Sequence, residues 1–560
     1  MKVISTIETK FAKFLSFGVL IITVLIVVGS STDPVNAPKM LVLGAVSFGL
    51  IPFIILNKKN LIKSEYKVTT LVVVCFLSSL FIALLFGNSP FSQKFYGTYG
   101  RNTGFLTFVA LVIMFWCITL FNSRTSHKYL VISLAVSGGI NIVYCLIRSM
   151  VGDPIPWNNI YGAFLGTFGN PDFAGAFVGI TSGVYLALLS SDANRKYKWL
   201  YFILFLGSLF TVLETKTKQG ILIALISISV FGFLTLGNLT IRKIVKRIYV
   251  FTISILAIFV VLGMLQIGPL SSYLYKRSVS LRGSYWNAAW HAGISHPFTG
   301  VGLDSFGDFY RRVRSLKAAT WLPGSETTTN SAHNYYLDLF ASGGILLLLS
   351  YLSFTVIGLI CIFRIYRSLK KFDYIASIMI LGFLSFQAQA IISISQIGLA
   401  IWGWIFTGML VSYARISKNE ALINEKKVMK KHQDLPVGVI IFASLCVGIL
   451  IFVPPFSADA KWFNATKSQK LQNVETALVP SYFNPTSSTK FLDAIRILEN
   501  SKLYKESHKY ALLSVKFNPE YFEAWRSLYF ATNSTAQERQ LALSKMKKLD
   551  PLNRNLDNFK

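Results

Sequence analysis

Apolar runs, most of them about 18 to 22 residues long, recur along this chain, and that length spans a bilayer as helix. The runs stand at 14–30, 41–56, 68–86, 103–121, 129–150, 171–189, 199–213, 219–236 and 248–267, then at 335–363, 374–393, 396–414 and 436–454. Only 14% of residues are charged, against roughly 25% in soluble domains. The chain reads as an all-α, polytopic helical membrane protein with about thirteen transmembrane helices. A cleaved leader is the weaker reading of the first run. A second span follows it at once, and Pro38 stands beside the only plausible cleavage point, after Ala37.

Lys and Arg gather in alternate loops. Examples are Lys58 to Lys67, Arg124 and Lys128, Arg195 to Lys198, Arg242 to Arg247, Arg364 to Lys371, and the run from Arg415 through Lys431. This asymmetry predicts a cytoplasmic amino terminus, with the long loop at 268–334 and the carboxyl-terminal tail on the outer face. The net charge of +30 therefore reads as topology and not as a nucleic-acid partner. The five cysteines all fall inside apolar spans without CxxC spacing, so neither disulfides nor a metal site is expected.

Two domains are expected, a membrane domain at 1–454 and a tail at 455–560. In the tail, Tyr482-Phe483-Asn484-Pro485 recurs 34 positions later as Lys516-Phe517-Asn518-Pro519, and Asp550-Pro551 follows after 32 more. That period, with Pro at each boundary, predicts tetratricopeptide-like helical repeats. Two units are marginal alone, so the tail is expected to dock on the membrane domain or on a protein partner.

The polar stretch from Gly268 to Gly344 is where chemistry is expected. Arg282, Trp286 and Trp290 are four apart and share one face if 280–294 is helical. Arg grips phosphate oxygens through a planar fork, and sugars stack on aromatics; the alternative is an interfacial helix. Gly300-Val301-Gly302 reads as a tight turn. Arg311, Arg312 and Arg314 form a basic run, of which one or two would touch a ligand. His333 stands where a polar loop meets a span, and a neutral His can take a proton from a hydroxyl. His291 and His296 compete for that role. Asp304, Asp308 and Glu326 are scattered and make no hydrolase-type carboxylate pair. Elsewhere, Arg101 lies among glycines at a helix start, and Lys216 and Lys218 oppose the charge bias of their face. Gly166 to Ala174 is a turn with Pro near a helix start.

Taken together, Arg282-Gly283-Ser284-Tyr285-Trp286, Pro297-Phe298-Thr299-Gly300-Val301-Gly302 and His333-Asn334-Tyr335-Tyr336-Leu337 before Gly343-Gly344 resemble the O-antigen ligase and polymerase superfamily of bacterial membranes. The Arg101 loop and Gly166 to Ala174 are similar to that family's earlier outer loops. Where many members have Ser-Arg, this chain has Lys216-Thr217-Lys218-Gln219, which keeps charge and loses the fork.

The resemblance implies an inverting, metal-independent glycosyltransferase of the bacterial plasma membrane, without cofactor. It would use a polyprenyl-pyrophosphate-linked glycan donor and a glycan, lipid or protein acceptor. His333 would be base or acceptor-orienting group. Arg101, Arg282, Lys218 and Arg311 would bind substrate. Ligation, polymerisation and transfer to protein stay open, and a lipid-linked glycan transporter or a membrane scaffold is the reading outside that class.

Overall fold

The computed structural model describes residues 2–61, 63–238, 243–264, 267–269, 271, 277–321, 324–369, 371–420, 437–468 and 470–559. Arg242, Lys370 and the basic run from 421 to 431 lie outside them. A helix occupies each of the thirteen apolar runs, and among the described residues no β-strand occurs. Among the described residues, ten helices are long and apolar enough to cross a membrane. That count leaves aside Lys2–Val24, Phe105–Thr119 and Lys243–Met264. The chain is an all-α, multi-pass membrane protein.

Two elements depart from the sequence reading. The first helix is Lys2–Val24, ending before the apolar run does. The chain turns back there, with Gly29 at φ 82 and the Val27 amide bonded to the Pro34 carbonyl at 2.9 Å. The Tyr335–Ser368 helix is broken at Gly344, whose φ 68 and ψ −165 are not helical. The Pro297 carbonyl would lie 2.4 Å from a Cβ at that position. The segment read as a simple tight turn fills the break. Val301 and Gly302 donate to the carbonyls of Ala341 and Ser342 at 2.8 and 3.1 Å, and Ile345 donates to Pro297 at 2.7 Å. A broken helix is tolerated at membrane depth only when its freed backbone groups are paired in this way.

The loop itself is largely helical, with Arg277–Ser295, Phe306–Val313 and Leu316–Thr320. It has its own small core of Tyr285, Ala288, Ala289, Phe306, Phe309 and Tyr310. The tail has another, from Trp462 to Leu556. The expected boundary at 454 falls inside a helix, because Val437–Ser468 runs through Pro454 and Pro455. Beyond it, Ser488–Asn500 packs on Tyr504–Phe517, and Phe522–Phe530 on Ala536–Leu549. The residue before each periodic Pro (Asn484, Asn518, Asp550) is buried. Asn484 ties its own turn, donating to Ala477 and Val479 carbonyls at 2.9 and 2.7 Å. The other two reach the loop. Asn518 donates to Asp308 at 2.9 Å, and Asp550 pairs with Arg311 at 3.1 Å and Arg314 at 2.7 Å. The tail therefore docks on the loop, on the same side of the membrane domain.

Candidate functional site

His333 stands on a turn made by its neighbours. Asp338, one turn into the following helix, accepts from Ser331 Oγ at 2.6 Å and from the Ala332 amide at 2.7 Å. Ser331 Oγ in turn accepts from the His333 amide at 3.1 Å. This network holds His333 at φ 52, a left-handed conformation that costs a non-glycine residue about 1–3 kcal/mol. Asn334 caps the helix by accepting from the Leu337 amide at 3.1 Å. The ring of His333 stacks on Tyr285, with centroids 5.7 Å apart.

Tyr285 is three residues after Arg282 on the Arg277–Ser295 helix, so both lie on the face toward His333. Burial first, then the charges of Arg282 and Arg101, pushes the His333 imidazolium down to about 4. The histidine is thus neutral near pH 7. Arg101 is fixed by Asp304, with Nε 3.4 Å from the carboxylate and Nη1 donating to the Asn330 carbonyl at 2.5 Å. The same carboxylate accepts from the Thr98 and Thr103 amides at 2.8 and 3.3 Å. Asp304 therefore folds the loop that presents Arg101.

Arg282 has a second charged neighbour, Asp172, whose carboxylate favours the guanidinium while burial opposes it. Asp172 opens the Pro171–Leu189 helix, and Gln219 Nε2 donates to its carbonyl at 3.4 Å. The helices of Asp172 and Gln219 approach closely, since a Cβ on Gly220 would lie 2.9 Å from the Gly175 Cα. Lys218 is the exposed first residue of the Lys218–Asn238 helix, beside Gln219. Arg282 Nε, Trp286 Nε1 and Gln219 Oε1 are buried without a hydrogen-bond partner.

The structure brings Arg101, Arg282 and His333 together, while Lys218 is exposed at the start of its own helix. Arg311 does not join them. Its guanidinium is buried against Asp550 and Glu523, at 3.1 and 2.7 Å, and lies over the Phe522 ring. The fork is committed to the tail and to the Ser325 carbonyl of the loop at 2.8 Å, away from Arg101, Arg282 and His333. His291 is exposed and bonded to its own helix, and His296 contacts Ser295 and Phe309. Among the described residues, no three of His, Cys, Asp and Glu gather as a metal site requires.

Asp338, Asp304 and Asp172 were not legible as site residues. The available signal for Asp338 was a carboxylate entering an apolar span four residues after Asn334, where the membrane discourages charge.

Residues 202–352 match the family model described as O-antigen ligase. The match takes in Lys218, Arg282, Arg311 and His333 and the broken helix as far as Leu352, and leaves out Arg101 and the tail. It supports a place for this segment in the O-antigen ligase superfamily. No curated protein matches the chain.

Proposed function

We propose that the protein transfers glycan from a polyprenyl-pyrophosphate carrier to an acceptor hydroxyl on the outer face of the bacterial plasma membrane. The observation that carries this reading is a neutral His333 acted on by two arginine charges. Two cations suit a pyrophosphate, and a neutral imidazole suits an acceptor hydroxyl. In the proposed step the acceptor oxygen attacks the anomeric carbon from the face opposite the leaving group. The bond to the pyrophosphate oxygen breaks, the hydroxyl proton passes to His333, and the configuration inverts. Arg101 and Arg282 hold the charge that develops on the leaving pyrophosphate, which needs positive charge and no proton. Lys218 adds a further cation.

Donor binding would also tune the base. Burial and, after it, the arginine charges hold His333 low; a bound pyrophosphate offsets the second, so its proton affinity rises as the donor docks. The partners implied are the lipid-linked donor, a glycan, lipid or protein acceptor, and the surrounding membrane lipids. The tail, read as tetratricopeptide-like, covers the loop through Asn518, Glu523 and Asp550.

Mass spectrometry of surface glycans from a deletion strain tests the reading. Lost attachment indicates ligation, shortened chains indicate polymerisation, and an unglycosylated protein indicates transfer to protein. Unchanged glycans contradict all three.

A further inference from the structure

A cavity of about 70 Å³ lies between the Arg101 loop and the tail, and nothing in the donor site uses it. Its walls include Tyr96, Tyr99 and Asn102 from the loop, Gln93 and Asp308 beneath it, and Thr489 and Tyr521 from the tail. At roughly 10–15 Å³ per water it holds about five waters, the space of one sugar ring and not of a chain. Asn102 Oδ1 is buried there with no hydrogen-bond partner, while the residue itself is 3% exposed. Asp308 is anchored by Gln93 and Asn518 at 3.1 and 2.9 Å, and enclosure pushes its carboxyl up to about 6.

The chemistry of these walls selects a class of ligand. Aromatic rings with amide, carboxyl and hydroxyl groups between them suit a polyol that offers both apolar C–H faces and hydroxyl donors. A phosphate is disfavoured. Lys490 is the cation of this wall, and its ammonium already donates to the Ala458 carbonyl at 2.7 Å. An acid faces the same space. We propose that this cavity binds one neutral pyranose ring of a glycan substrate, resting on the glycosyltransferase reading above. The ring's hydroxyl donates to Asn102 Oδ1, the residue that follows Arg101. Thr98 and Thr103 tie that whole loop to Asp304, so an occupant orders the segment that presents Arg101. The tail then closes a sugar subsite that the membrane domain leaves open.

Saturation-transfer NMR on the full chain in nanodiscs tests this with free glucose, galactose and N-acetylglucosamine. At least one sugar is expected to show saturated ring protons. Thr489→Trp, which fills the cavity from the tail side, should abolish the signal, and Thr489→Ser should keep it. Tyr521→Ala provides a second loss if the Trp variant folds poorly. Silence from all three sugars, or a signal that survives both Thr489→Trp and Tyr521→Ala, overturns the proposal. Farnesyl pyrophosphate binding separates the two levels. If it fails while sugar still binds, the donor reading falls and the cavity stands. If it holds while no sugar binds, the cavity falls alone. The source of the ring follows from farnesyl-pyrophosphate-linked N-acetylglucosamine. Tighter binding than the bare pyrophosphate, lost in Thr489→Trp, assigns the ring to the donor. Free sugar that still binds beside this ligand assigns it to the acceptor.

Discussion

Asp338 accepts the Ala332 amide at 2.7 Å and so fixes the turn on which His333 stands. The same carboxylate accepts from Ser331 Oγ at 2.6 Å, and that hydroxyl accepts the His333 amide at 3.1 Å. That makes Asp338 a positioning residue.

Asp338→Asn should therefore lower transfer while leaving Arg101 and Arg282, the residues proposed to bind donor, in place. One of the two bonds to the turn is lost or weakened, worth about 1.5–3 kcal/mol for a charged acceptor. Transfer should fall at least tenfold, with the affinity for farnesyl pyrophosphate within twofold of wild type. Equal loss of binding and transfer would mean that the turn also shapes the pyrophosphate site.

The pH profile follows from the His333 environment. Its ordinary value is 6.5 and the fold lowers it to about 4. Between those values the unfolded chain binds more protons, so this residue's contribution is fully present above pH 6.5 and is lost as pH falls toward 4. In turnover, the acid limb of kcat/KM should centre near 4, and not in the 6 to 7 range of a free imidazole. The limb of kcat should sit higher, because the bound pyrophosphate offsets the arginines. A single limb at 6 to 7 in both would show that neither burial nor the arginine charges lower His333.

Asp550 joins Arg311 and Arg314 in a cluster almost closed to solvent. Removing one partner of a buried pair costs about 3–5 kcal/mol, because the remaining charge stays buried. Asp550→Ala should thus loosen the tail from the loop, making the tail more sensitive to protease and lowering the thermal midpoint. Unchanged proteolysis and midpoint would show that the docking does not depend on these ion pairs.

The helices were legible because length and apolarity alone define a span. The same physics hid the break at Gly344. Two adjacent glycines inside an apolar run give no periodicity signal, and the partner that fills the break, Pro297 to Gly302, is more than forty positions away. Arg101, Arg282 and His333 were legible because charge and polarity are conspicuous beside a membrane. Arg311 has the same residue type as Arg282 and a different fate, decided by acids more than two hundred positions further on, Glu523 and Asp550. Tertiary partners of that kind leave no local mark. The carboxylates that position the site, Asp304 and Asp338, act on backbone amides, and sequence spacing does not reveal which amide a carboxylate will meet.

Gly344→Ala tests the broken helix. Its positive φ is strained for any side chain, and the Pro297 carbonyl lies where a Cβ would go. The variant should accumulate poorly or melt at lower temperature, with transfer reduced through the displaced turn. Wild-type midpoint and activity would mean the helix runs straight through this position.

The central claim is that Arg282 grips the donor pyrophosphate while His333 serves the acceptor. Farnesyl pyrophosphate affinity in nanodiscs, with a chelator present, tests it most directly. Arg282→Lys replaces a planar fork with a point charge and should weaken binding about 10- to 150-fold, the equivalent of 1.5–3 kcal/mol. His333→Ala should bind as wild type and lose transfer by about 10²- to 10⁴-fold. Wild-type affinity in Arg282→Lys, or lost affinity in His333→Ala, would contradict this division of roles.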